Sequence, residues 1–331
     1  MSIRFVEGSL SQLASHLKGL RWVPISDSNV ARLLPTDWPA PIVVPAGESS
    51  KSLETTRELY AQLAERGVDR QTRLVAVGGG VVGDLVGFVA ATYLRGVPLV
   101  QVPTSLVAMV DSSLGGKVGV DLPAGKNLVG AFYLPELHFL DTSLLDSLPP
   151  REWNAGMAEV LKHALLDGPD HWQRLESLAY PLAPEQRRQL VLESRRVKQH
   201  IVDQDPREEG IRAFLNLGHT LAHAIESAQG YQGWNHGEAV GFGLRAALRL
   251  SQRRLDLDPL WEERLCHQLR RYALPEQRPP LALDTLLPYL ARDKKNRDGQ
   301  LRFVLLREPG RAEVVSGIEP AELQELWEEL P

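Results

Sequence analysis

The chain has 331 residues, of which 43% are hydrophobic and 24% charged, with a formal net charge of -5. That length is enough to bury a large core divided over two domains, and the composition is that of an ordinary soluble globular protein. The negative balance argues against a nucleic-acid-binding surface, and a single cysteine, Cys266, excludes a disulfide within the chain and suits a reducing compartment.

The opening residues, Met1 to Glu7, carry no signal-peptide pattern. The most membrane-like run, Leu74 to Leu94, contains Asp84 and a glycine cluster, which argues against a spanning helix. The expectation is a cytoplasmic protein with neither a nucleic-acid nor a membrane partner.

In chain order, Arg21 to Ser26 and Pro41 to Val44 read as strands that end in turn residues. Between Ser50 and Arg66, Leu53, Tyr60 and Leu63 predict one buried helix face. Arg73 to Val77 is a buried strand by composition, an apolar helix follows through Tyr93, and Leu99 to Pro103 is the next strand. This alternation predicts an α/β layer with a mostly parallel sheet.

Between that strand and helix, Gly78, Gly80 and Gly83 match G-x-G-x-x-G, the context of a phosphate cradle. Glycines let the backbone approach a pyrophosphate, and a helix start offers unpaired N–H groups. A ribose-binding acid is expected about 20 residues further on, where Gln101 to Pro103 offer none. Either the glycines form a structural turn, or the acid comes from elsewhere, with Asp27 and Glu48 as the candidates. A carboxylate at the 2′-hydroxyl would favour NAD over NADP.

From Asp111 to Asn127 the chain places Lys117 and Lys126 on glycine-rich turns without forming a Walker A loop. These lysines suit a phosphate or carboxylate as point charges, the alternative being a solvated loop. The character changes at Leu148-Pro149-Pro150, so the expected division is 1–148 and 149–331.

Helical periodicity then dominates. Glu159, Lys162 and His163 share a face of the helix predicted over Glu152 to Leu166, either as a surface ion pair or as an inward-facing carboxylate among apolar neighbours. Gln186 to Gln204 forms a basic helix with Lys198, and Arg212 and Asn216 precede a third helix carrying His219 and His223 one above the other. His236 follows a Gly-Tyr-Gln-Gly turn, so three histidines fall within eighteen positions among glycine-rich turns, a metal-site candidate. Gly241 and Gly243 in the next helix predict close packing, Arg292 to Arg297 a basic loop, and Leu301 to Leu306 with Ala312 to Val315 a hairpin.

Taken together, Gly78-Gly-Gly-Val-Val-Gly-Asp84, Ala91-Thr-Tyr-Leu-Arg95-Gly96, Asp111-Ser-Ser-Leu-Gly-Gly-Lys117, Gly125-Lys126-Asn127, Ala158-Glu159-Val-Leu-Lys162, Asn216-Leu-Gly-His219-Thr, His236-Gly-Glu238 and Arg292-Asp-Lys-Lys295 resemble the 3-dehydroquinate synthases over nearly the whole chain. The resemblance implies a Rossmann-like α/β N-terminal domain that binds NAD and a mainly α-helical C-terminal domain for metal and substrate. It implies Glu159, His219 and His236 as ligands of zinc or cobalt, with His223 facing substrate rather than metal.

By the same resemblance, Lys162, Lys198, Arg212, Asn216 and His223 are catalytic, and Arg95, Asp111, Lys117, Lys126, Asn127 and Lys295 (with Lys294 as its alternative) bind substrate. Asp27, Glu48, Lys51, Gly79, Gly80, Asp84, Thr104, Ser105, Asp111 and Lys126 contact NAD. Ser105 stands where the family usually has threonine and keeps the hydroxyl. The implied substrate is the sugar phosphate 3-deoxy-D-arabino-heptulosonate 7-phosphate. It is oxidised, loses phosphate by β-elimination with its own phosphate taking the proton, and is reduced and closed by an aldol step, in a homodimer. The alternatives weighed are a metal-dependent alcohol or glycerol dehydrogenase, another sugar-phosphate cyclase, and a non-catalytic NAD-binding regulatory protein.

Overall fold

The computed structural model describes residues 3–230, 232–291 and 301–331. It contains two compact units, Met1–Pro149 and Pro150–Pro331.

The first unit is built on strands β1 (Arg4–Glu7), β2 (Trp22–Asp27), β3 (Ile42–Val44), β4 (Arg73–Gly78), β5 (Leu99–Pro103) and β8 (Leu137–Leu140), all parallel, in the order β1-β8-β5-β4-β2-β3. Leu74, Val75, Ala76 and Val77 in β4 are buried on both faces, which is why the run reads as continuously apolar rather than alternating. Helices α1 (Leu13–His16), α2 (Leu53–Glu65) and α3 (Gly80–Thr92) belong to the same unit. Apolar around most of its surface, α3 packs on β4 and β5 and is overlaid by the antiparallel pair β6 (Lys117–Leu122) and β7 (Gly125–Phe132). The chain reverses its direction across the sheet between β2 and β4. In open parallel sheets the crevice at the carboxyl ends of such strands is where ligands bind, and there lie Asp27, the last residue of β2, and Gly78, the last of β4.

Two expectations need correction. In α2 the buried residues are Thr56, Leu59 and Leu63; the stripe is rotated away from Leu53, which is 42% exposed at the first helical position. The Lys117–Asn127 stretch is a hairpin rather than a series of turns. Its period of two was hidden by glycine, but Val118 and Val120 are buried against α3, where a Cβ on Gly87 would come within 2.3 Å of Val118 Cγ1.

The second unit holds α4 (Pro150–Asp167), α5 (Pro169–Ser177), α6 (Pro184–Gln204), α7 (His219–Ala228), α8 (His236–Leu255), α9 (Leu260–Arg271), α10 (Leu283–Ala291) and α11 (Pro320–Glu329), with one hairpin of β9 (Arg302–Glu308) and β10 (Arg311–Ser316). Helix α4 packs against α6 and α8, and α7 against α8. Glycines permit this closeness: a Cβ on Gly243 would lie 2.0 Å from Gly218 O, and one on Gly237 2.2 Å from Ala155 Cα. Among the described residues, no helix is long and apolar enough to cross a membrane.

Candidate active site

In the helical unit, α4 turns Glu159, Lys162 and His163 inward, all three at 1% exposure or less, so the surface-pair alternative is excluded. Helix α8 is started by a capping box in which Asn235 Oδ1 accepts from Glu238 N at 2.9 Å and Glu238 Oε2 accepts from Asn235 N at 2.8 Å. That cap makes His236 the first helical residue. Glu238 is also bound by Arg151, at 2.8 and 2.7 Å, which gives the acid of His236-Gly-Glu238 a structural part.

Glu159 Oε1 lies 3.0 Å from His236 Nε2 and 3.4 Å from His219 Nε2. One ligand atom from each of Glu159, His219 and His236 is within 4.8 Å of the other two. Ligands held at about 2.1 Å around a tetrahedral zinc ion stand about 3.4 Å apart, so the spacing fits. The donor atoms fit as well. His219 Nδ1 is 3.1 Å from the carbonyl of Leu217, an acceptor only, and therefore donates, leaving the Nε2 lone pair aimed at the carboxylate. His236 Nδ1 is 3.4 Å from Glu226 Oε2, which disposes its ring in the same sense. Two imidazoles and a carboxylate directed at one point require a positive charge between them, either a metal ion or a proton.

The acid–base behaviour of the metal-free protein reflects this need. Burial opposes charge on His236, but Glu226 and Glu159 outweigh it and raise the ring to about 10. Burial pushes Glu159 up, yet Lys162, whose Nζ pairs with Glu159 Oε2, and then His219 hold it well below the usual carboxylate range. His219 is driven down by burial and by Lys162.

His223 sits one helical turn past His219, exposed, with ring centroids 5.4 Å apart. Lys198 is buried on α6 and Arg212 on the 3-10 turn Ile211–Asn216, where Arg212 donates through a guanidinium nitrogen to Pro206 O at 2.6 Å. Asn216 Nδ2 donates to Glu208 Oε1 at 3.3 Å and Ala213 O at 3.1 Å. Lys294 and Lys295 lie outside the described residues.

In the sheet unit, Gly79 caps α3 and Gly80 begins it, and a Cβ on Gly80 would meet Ser112 Oγ at 2.9 Å. Lys51, almost fully buried, donates to Asp84 Oδ2 and to Asn127 Oδ1, both at 2.6 Å, while Lys126 Nζ is 3.4 Å from Glu48 Oε1. Burial and Lys51's ion pair with Asp84 act oppositely on the amine, and the pairing prevails, so Lys51 stays firmly charged. Asp27 accepts from Asn29 N and Val30 N at 2.8 and 3.0 Å, closing the turn after β2. Thr104 N bonds Gly78 O at 2.9 Å, and Ser105 Oγ accepts from Ala108 N at 3.2 Å ahead of the π-helical turn Ala108–Ser112 that holds Asp111. Lys117 opens β6. Arg95 stands with Leu94 at φ of 65° and 50°, a left-handed pair held by Arg70 Nε donating to Leu94 O at 3.1 Å.

Sequence reasoning missed several partners. Glu226 faces His236, Glu208 holds Asn216, Ser194 Oγ is 2.7 Å from His163 Nδ1, and Asp121 Oδ1 accepts Asn127 N at 2.8 Å. Of these, Glu226 carried a signal, because it falls seven residues after His219 and three after His223, on their helix face.

Two family models match the chain, 3-dehydroquinate synthase N-terminal over residues 41–155 and 3-dehydroquinate synthase C-terminal over residues 156–296. The 3-dehydroquinate synthase of Salinibacter ruber is 44% identical over 322 residues, covering 93% of this chain and 88% of the relative. Among solved structures, the 2-epi-5-epi-valiolone synthase of Streptomyces hygroscopicus subsp. jinggangensis 5008, with NAD+ and Zn2+ bound, superposes with a TM-score of 0.91 at 28% identity, covering 100% of this chain and 97% of that one. A 2-deoxy-scyllo-inosose synthase complexed with carbaglucose-6-phosphate, NAD+ and Co2+ gives a TM-score of 0.85 at 27% identity, covering 99% and 96%.

Proposed function

We infer the reaction from the premise that this chain belongs to the 3-dehydroquinate synthase family. It converts 3-deoxy-D-arabino-heptulosonate 7-phosphate to 3-dehydroquinate and inorganic phosphate, a lyase reaction that begins and ends with the cofactor in the same oxidation state. The observation that carries this reading is the convergence of Glu159, His219 and His236 in the helical unit.

The reading assigns NAD to the sheet unit and zinc or cobalt, with the substrate, to the helical unit. When bound, the divalent ion supplies Lewis acidity at the reacting alcohol, and the dinucleotide takes up and returns a hydride. Glu159, His219 and His236 hold the ion, and Lys162 keeps Glu159 ionised. His223, exposed next to His219, together with Lys162 helps orient the substrate's own phosphate, which takes the proton. Lys198 and Arg212 suit the substrate's anionic groups by point charge and fork geometry, and Asn216 orients a hydroxyl. By the family resemblance, Arg95, Lys117, Asn127 and Lys295 are further substrate-binding candidates.

On the cofactor side, Gly79 and Gly80 let the pyrophosphate approach the start of α3. Asp27 and Glu48 serve the ribose, with Lys51, Asp84, Thr104 and Ser105 around them. Asp111 and Lys126 serve both cofactor and substrate. The proposal extends to a homodimer in the cytoplasm, a setting that suits the lone, buried Cys266.

The test is to supply the heptulosonate phosphate with NAD and Zn2+ and to follow phosphate and NADH together. Phosphate release with no lasting NADH is expected; NADH rising one-for-one with product would overturn the assignment.

A further inference from the structure

Two imidazoles of the candidate metal site are anchored differently. The His219 side chain is 9% exposed, and its Nδ1 is fixed by the carbonyl of Leu217 in the preceding turn. The His236 side chain is 34% exposed and opens α8, where neighbouring turns confine the ring less. Facing its Nδ1 at 3.4 Å is Glu226 Oε2, from the last turns of α7. Glu226 is 6% exposed, and a carboxylate so far from water is costly to keep ionised unless a donor or cation meets it.

We propose that Glu226 is a positioning residue that orients His236 as a metal ligand by accepting the Nδ1 proton. The inference rests on the reading that a divalent cation occupies the Glu159–His219–His236 cluster. An ionised carboxylate only accepts, so Nδ1, which faces Glu226, donates to it. A cation would then displace only the Nε2 proton that faces Glu159 Oε1 at 3.0 Å, and Nε2 would present its lone pair to the ion. Ring-orienting acceptors of this kind recur behind metal-bound histidines.

Helix α7 thereby does two things at once. His219 and Glu226 are seven residues apart on one face, so a single rigid element supplies a ligand and also the anchor for a ligand on α8. Glu238, two residues from His236, has other work: its carboxylate is taken up by the α8 cap and by Arg151.

The experiment uses the full-length protein stripped of metal and titrated with Zn2+ against a chromophoric chelator. Glu226→Gln should weaken Zn2+ affinity by about 10- to 100-fold, while the metal-free variant keeps its helical circular dichroism. Glu226→Asp, which retains the charge but draws it back from the ring, should show a smaller loss. It also serves as the deciding variant if the glutamine protein does not fold. In a His236→Ala background, adding Glu226→Gln should produce no further loss, because a residue acting through His236 has nothing left to orient.

Wild-type affinity in the folded glutamine variant, or in the aspartate variant where that one must decide, overturns the inference alone. So does a full additional loss in the His236→Ala background. A wild-type chain that binds no Zn2+ would overturn the functional reading and the inference with it.

Discussion

Two charged clusters, one in each unit, are held in opposite ways. In the sheet unit, Lys51 is met by Asp84 and Asn127 at 2.6 Å, and the carboxylate of Glu48 by Lys126 at 3.4 Å. Charge answers charge within the chain, and the loops around the first turn of α3 are held with nothing added. In the helical unit, two imidazoles and Glu159 face one another, with Lys162 compensating one carboxylate oxygen and the two Nε2 atoms facing the other. A region of the first kind is finished by folding. A region of the second kind is, on the function proposed above, finished by binding a cation; in the metal-free protein a proton at His236 takes that place.

That contrast can be broken by mutation, starting where the effect should be greatest. His219→Ala removes a ligand and should lower turnover at least about a thousandfold, about 4 kcal/mol at 1.36 kcal/mol per tenfold. Metal content after gel filtration should fall with it, while NAD affinity stays. Normal zinc content in this variant would dissolve the distinction between the units. Lys51→Met should do the reverse. It leaves Asp84 without its cation and Asn127 Oδ1 without its donor, costing about 2–3 kcal/mol in chemical denaturation once partial solvent exposure is allowed for. Zinc affinity should not change, and a parallel loss of zinc would contradict the account.

Gly243→Ala probes the packing that aligns the cluster, since its Cβ would lie 2.0 Å from Gly218 O, immediately before His219. Overpacking of this kind costs about 1–3 kcal/mol, and here it should also weaken zinc binding, because α7 must shift against α8. Loss of stability with unaltered zinc affinity would show that the glycine serves the core only.

The smallest effect is a pH dependence. In the metal-free protein the His236 ring is raised to about 10 by Glu226 and Glu159 against the cost of burial. A raised folded value means that its contribution is complete below the unfolded pKa of about 6.5 and disappears as pH climbs through about 10. Thermal unfolding of the metal-free protein should therefore fall across that alkaline window, and zinc should flatten the fall. Curves that stay parallel with and without zinc would remove His236 from the proton's place.

How much of this could be read in advance follows from the residues. The parallel sheet was legible because β2, β4 and β5 are short apolar runs punctuated by glycine and proline, and the helical half because its periodicity is sustained. The hairpin of β6 and β7 was not: glycines at 119, 125 and 130 dilute its alternation, and what makes it a hairpin is packing against α3, a contact distant in sequence. Burial of Glu159 could be suspected from Met157, Ala158, Val160 and Leu161, but on pattern alone a surface pair was the ordinary explanation.

The spacing of His219 and His223 pointed to a metal face, yet the structure groups His219 with Glu159, sixty positions earlier, and with His236 on the next helix. No local period encodes such a meeting. Glu226 shows the remaining gap: its position on the helix face was legible, but its role depends on where α8 begins, which the Asn235–Glu238 cap decides.

The central claim is that one cation completes the helical unit at three named side chains. Anomalous diffraction at the zinc edge from crystals of the zinc-loaded protein tests it most directly. The account predicts one peak per chain, about 2.0–2.2 Å from a Glu159 carboxylate oxygen and from the Nε2 atoms of His219 and His236. A peak bonded elsewhere, or to the Nδ1 atom of either ring, would contradict it.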